Sequence, residues 1–174
     1  MKRLLNTISL LLLGLWLGAA IFFSAAVAPN LFAVLRGAEL PNANALAGTI
    51  VTRLLAIINR GGFEIGLLLL VISFFATRAH TTLRRFAEMI SLAIMAIMTG
   101  IGHWVVAARM AALRAAMQIP IDQVAPADPR RLQFDNLHRY SVAMMAVAIV
   151  AALIAFVLNA NRTNQSEPPK PSGD

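Results

Sequence analysis

Cysteine is absent from this chain, tyrosine occurs once, and only eight acidic residues stand against fifteen lysines and arginines. Without cysteine there are no disulfides, thiolate metal sites, covalently attached c-type haem or cysteine nucleophiles. Any metal or haem would have to use histidine, methionine, carboxylate or backbone ligands. Charge is scarce too. Charged residues make up 13% of the chain and apolar residues 59%. With a mean hydropathy of +0.71, the composition falls outside that of soluble globular domains. No nucleophile elbow, phosphate loop, HExxH or dinucleotide fingerprint occurs, so the sequence indicates no reaction and favours a non-enzymatic role. A net charge of +7 would point to nucleic acid in a soluble protein. In a chain this apolar it reads as orientation signals and contact with anionic lipid, so the expected partner is the bilayer and no nucleic acid.

What the chain has instead is long apolar runs. The first, from Leu4 to Ala28, poses a choice, because Ala26-Val27-Ala28 after Lys2 and Arg3 resembles a signal-peptidase site. A cleavable signal carries an apolar core of about 7–15 residues. This run covers about 25 positions, roughly 37 Å as a helix, against a hydrocarbon core of about 30 Å. Pro29, directly after the would-be cut, is also a poor residue to find there. The run is expected to be an uncleaved membrane helix over 5–28, halted by Pro29.

Three more spans follow, at about 54–77, 86–108 and 138–158, giving an all-α membrane protein. The expected fold is a four-transmembrane-helix bundle over 1–160 with a disordered tail, 161–174. Leu46, Ile50, Leu54 and Ile57 recur at helical spacing as an amphipathic lead-in to helix 2, with Gly61-Gly62 as a candidate kink. Helical character after the third span continues to Met117. The fourth helix opens with Asp128 as N-cap and Pro129 at its first position, so the ends of helices 3 and 4 protrude. Gly14/Gly18 and Gly62/Gly66 are GxxxG patterns that suit either helix 1 against helix 2 or a homodimer. Counting Lys and Arg nearly ties the two sides. The short basic loop holding Arg78, His80, Arg84 and Arg85 favours cytoplasmic termini, with His80 solvated there.

Counting helix lengths from the span ends brings the polar side chains of the spans to one layer near one membrane face. Asn59, Arg60 and Glu64 come from helix 2, His103 from helix 3, and Asp135, His138 and Ser141 from helix 4. Ionisable groups at such depth are costly, so they mark a site by default. The plain structural alternatives are an i,i+4 ion pair for Arg60 and Glu64, interhelical hydrogen bonds for the histidines, and packing for the eight methionines. His103 and His138 are the candidate ligands for haem or copper. That site requires the two imidazoles to face one another across helices 3 and 4.

The stretches LWLGAAIFFSAAVAPNLF (Leu15 to Phe32), Ala47-Gly48 and FDNLHRYS (Phe134 to Ser141) resemble the domain of unknown function 4149 family. That family is similar to eukaryotic transmembrane protein 205 and, more distantly, to copper-resistance-protein-D-like membrane proteins. The resemblance covers about Leu10 to Leu158. It implies a four-helix protein of the bacterial inner membrane and supplies no activity. The matching positions are Pro29 and Phe32 on helix 1, and Phe134, Leu137, His138 and Ser141 on helix 4. His103 is not part of the motif.

Three functional classes remain. The first is a non-enzymatic protein whose polar layer binds a small ligand, ion or lipid headgroup. The second is an assembly factor docking a partner through the protruding helices, with Arg109, Arg114, Arg130 and Arg131 as its surface. The third is a b-type haem or copper protein using His103 and His138. No cofactor is expected under the first two.

Overall fold

The computed structural model describes residues 2–75 and 82–164. His80 and Arg78 fall outside these residues, as does most of the expected tail. Among the described residues every regular element is helical. Four helical stretches are long and apolar enough to cross a membrane: Leu4–Gly37, Ala43–Phe75, Leu83–Met117 and Pro129–Asn161. The four-helix membrane fold expected from the apolar runs is therefore the fold observed.

The first stretch consists of α1 (Lys2–Phe22), a π-helical turn (Phe23–Val27) and α2 (Ala28–Gly37). Pro29 does not stop it, contrary to expectation. Proline removes one N–H and crowds the carbonyl four residues back, which breaks an ordinary helix. Here the preceding turn is widened, with the Ala28 N–H bonding back to the Phe23 carbonyl. Pro29 thus falls in the first positions of α2, where a missing N–H costs little. Asn30 adds an Nδ2–H bond to the Ala26 carbonyl at 2.8 Å.

The second stretch is α3 (Ala43–Phe75), unbroken at Gly61-Gly62. Its lead-in is the first turns of the same helix. Leu46, Ile50, Leu54 and Ile57 point outward, while Ala47, Gly48 and Val51 are buried. The third stretch is α4 (Thr82–Ile101), a second π turn (Gly102–Val106) and α5 (Ala107–Met117). It ends as expected at Met117, where Gln118 takes a left-handed conformation at φ 59°. The fourth is α6 (Pro129–Asn164), which carries helix four residues into the segment expected as tail. Asp128 caps it, accepting the Arg130 N–H at 2.8 Å.

In a membrane there is no hydrophobic drive between helices, so close approach by small residues does the packing. α6 brings Ala148, Ala151, Ala152 and Ala155 into the core against Leu13, Trp16, Leu92 and Met95. Gly62 and Gly66 serve the same end inside the chain. A Cβ at Gly62 would lie 2.7 Å from Trp16 Nε1 and 2.8 Å from Thr99 Cγ2, and one at Gly66 would lie 3.4 Å from Ala96 Cα. Gly14 abuts Phe156, whereas Gly18 faces open space. The outward faces are largely apolar, with Leu15, Phe22, Ile57, Phe75 and Val150 among the exposed side chains, which suits lipid contact.

A candidate ligand cavity at the splayed end of the bundle

α1, α3, α4 and α6 pack tightly over one half of the molecule. Beyond the two π turns the pairs diverge: α2 lies along α3, and α5 lies along α6. Between them is a cavity of about 730 Å³. Ligand pockets commonly run from about 300 to 1,000 Å³. Both π turns reach its wall, through Phe23 and Ser24 on one side and Gly102 on the other. Single π turns of this kind often accompany functional sites.

The wall is mostly apolar. Phe32, Met110, Phe134, Met145 and Ile149 contribute to it, with a polar set grouped toward the α5–α6 loop. Asn59 is 5% exposed and faces Gly102, whose Cβ position would be 3.1 Å from its Nδ2. The Asn59 amide has no hydrogen-bond partner among the described residues, and it lines the cavity. The amide faces the cavity, where a molecule filling that space is placed to bond it.

Arg114 is the most engaged polar side chain of the wall. Its Nη1 donates to Thr52 Oγ1 at 3.1 Å and its Nη2 to the Gly48 carbonyl at 3.2 Å. Its guanidinium lies 5.0 Å over the Phe134 ring. Gly48 makes this possible, since a Cβ there would be 3.0 Å from Nη2. Arg114 thereby fastens α5 to α3 without a carboxylate partner among the described residues.

The loop after α5 closes the end of the cavity. Asp122 accepts from Asn44 Nδ2 at 2.6 Å and from the Ala45 N–H at 3.1 Å, capping the start of α3 from a distant segment. Arg131 donates to the Val124 carbonyl, and Arg130 donates to the Ala116 carbonyl at 2.9 Å. Arg130 also pairs with Asp128 at 2.7 Å. That pairing holds the Asp128 carboxyl down at about 2.

The polar layer expected from helix counting divides. Asn59, Asp135, His138 and Ser141 line the cavity, and the motif residues Pro29, Phe32 and Phe134 line it with them. Arg60 and Glu64 do not. They form an i,i+4 ion pair at 2.8 Å on the outer face, with side chains 68% and 58% exposed. His103 also lies off this wall, edge-on to Trp104 with centroids 4.9 Å apart. Its Nδ1 is buried without a partner among the described residues. The two histidines therefore do not share the cavity. No group of three His, Asp or Glu residues able to hold a metal gathers among the described residues. Leu137 packs beside Phe134 in the small core under the loop.

Polar residues are also not confined to this end. Ser9, Ser73, Glu88, Ser91 and Asn159 are all buried. They sit near the start of α1 and α4 and the end of α3 and α6, which is the opposite end of the bundle. Arg114, Asp122 and Arg131 line the cavity without having been grouped with the polar layer. Their roles depend on partners such as Gly48 and Asn44, far away in sequence.

No curated protein and no solved structure matches the chain. Residues 11–118, from α1 to the start of the α5–α6 loop, match the family model described as "Domain of unknown function (DUF4149)". The match stops short of α6, so the Phe134–Ser141 stretch stands outside it. The chain belongs to the DUF4149 family.

Proposed function

We propose that this protein is a non-enzymatic, multi-pass membrane protein that holds a small, partly polar molecule in the cavity between α2, α3, α5 and α6. The observation that carries this reading is Asn59, 5% exposed and without a hydrogen-bond partner among the described residues, on the wall of a cavity of about 730 Å³. A bound molecule would supply the missing partner. Ser141, 8% exposed on the same wall, is placed to add a second contact. We place the protein in the bacterial inner membrane with cytoplasmic termini, so the cavity opens toward the far face. The basic second loop and the family resemblance support that assignment.

The docking alternative loses part of its surface. Arg114 and Arg131 are partly buried and donate to carbonyl oxygens of this chain, which leaves Arg109 and Arg130 as the exposed cations of the four. For the haem or copper alternative, His103 and His138 contribute to different surroundings. A homodimer through glycine faces would use Gly18, which is open, in preference to Gly62 and Gly66, which are covered within the chain.

The test is extraction of protein purified in mild detergent, with mass spectrometry of the released small molecules. Wild type is compared with Ala56→Trp and Ala146→Trp, which fill the cavity from α3 and α6. A compound retained by wild type and lost from both variants supports the reading. The same compounds in equal amount from all three proteins would contradict it.

A further inference from the structure

We propose that the molecule held in the cavity is a single-chain amphiphile with an anionic head, a carboxylate or phosphate, and that Arg114 is the residue that reads the head. This rests on the ligand-binding reading above and names its chemical class.

A guanidinium carries five N–H donors, and Arg114 uses one on Thr52 and one on Gly48. Both acceptors are neutral. The charge therefore sits half-buried on the cavity wall, stacked on Phe134 and without a carboxylate partner among the described residues. Of the two carboxylates on that wall, Asp122 has both oxygens engaged by the start of α3, through Asn44 and Ala45. Asp135 is exposed and makes no ion pair with Arg114. Arg131 places a second cation on the wall. A forked donor with free N–H groups in a partly dry site suits bidentate capture of a carboxylate or phosphate.

The rest of the wall selects for a tail. From the Arg114 level the lining runs through Met110, Phe23 and Leu55 to Met145 and Ile149, all apolar. Asn59 lies partway along and suits a hydroxyl or ester oxygen near the head. A free inorganic anion would leave the apolar length of the cavity unused, which is why an amphiphile is the stated occupant.

The experiment uses full-length protein in uncharged detergent. Binding is measured for a fluorescent C16 fatty acid and for its alcohol analogue, with inorganic phosphate as competitor. The expected result is preference for the acid over the alcohol. That preference should fall about ten-fold or more in Arg114→Gln and survive in Arg114→Lys. Thr52→Val, which cuts one of the two ties to α3 without removing the charge, should keep the preference even if the fold loosens. Equal binding of acid and alcohol by wild type overturns the anionic class and leaves the cavity reading standing. No binding of either by wild type, together with no co-purifying molecule, overturns both. Full displacement by inorganic phosphate at low concentration would make the occupant a free anion and overturn the amphiphile. Preference for the acid unchanged in Arg114→Gln would remove Arg114 from the role.

Discussion

The Trp16 indole N–H donates to the Ile58 carbonyl at 2.9 Å, crossing from α1 to α3 directly beside Gly62. A polar N–H in the middle of an apolar bundle is costly unless paired, and this carbonyl pairs it. The bond locks helix 1 against helix 2 just below the level at which the bundle opens into the cavity. Everything above it can splay because everything below it is fixed.

Gly62 is therefore expected to tolerate no side chain. Gly62→Ala puts a methyl 2.7 Å from Trp16 Nε1 and 2.8 Å from Thr99 Cγ2, so two core groups must move. The expected loss is about 1–3 kcal/mol, seen as an earlier loss of the monodisperse peak after heating in detergent. Gly18→Ala, in open space, should leave that profile unchanged. Equal behaviour of the two variants would refute the packing described for the second GxxxG pattern.

Asp122 ties the α5–α6 loop to the start of α3. Asp122→Ala removes an acceptor from the Ala45 N–H and from Asn44, at an expected cost of about 0.5–2 kcal/mol. Faster hydrogen exchange should appear in the first turn of α3 and in the loop, with the α4–α6 core unaffected.

Asp128 gives a pH signature. Its carboxyl is held at about 2, below the ordinary 3.8, chiefly by the hydrogen bond from the Arg130 side chain. A depressed folded value means the contribution is complete above 3.8 and is lost as pH falls from there through about 2. The Arg130 amide, which donates to the same carboxyl, should show an NMR titration with its midpoint near 2. That titration should vanish in Asp128→Asn. A midpoint near 3.8 would show the ion pair to be absent in solution.

At the far end of the bundle, the Ser73 hydroxyl is buried with no partner among the described residues. Ser73→Ala removes a desolvated hydroxyl at nearly constant volume. The expected change is neutral to stabilising, by about 1 kcal/mol, read as a raised unfolding temperature in detergent. A clear drop would mean that this hydroxyl is satisfied in the membrane.

The spans and the Asp128-Pro129 start of α6 were legible because each depends on a local run of residues. Pro29 was misread because its accommodation depends on a π turn built four residues upstream, for which the letters Phe23 to Val27 give no signal. The polar layer was half legible. Helix counting sets the depth of a residue but not its direction around the helix. It placed Asn59 and Arg60 at one level, whereas the structure turns Asn59 inward and Arg60 outward. Arg114 was visible only as a surface cation, because its setting depends on Gly48 and Phe134 in other helices. The buried set of Ser73, Glu88 and Asn159 carries no local signal in the sequence. Burial there comes from how the four helices pack, which no single stretch records.

The most direct test of the account is photolabelling of the protein in native membranes with a photoactivatable fatty acid, with the labelled peptides mapped by mass spectrometry. The account predicts labels concentrated on the cavity wall, at Phe23–Phe32 and at Phe134–Ile149, and reduced there by Ala146→Trp. Labels spread over the outward lipid face of α3, around Leu67 to Phe75, with none enriched at the cavity, would contradict it.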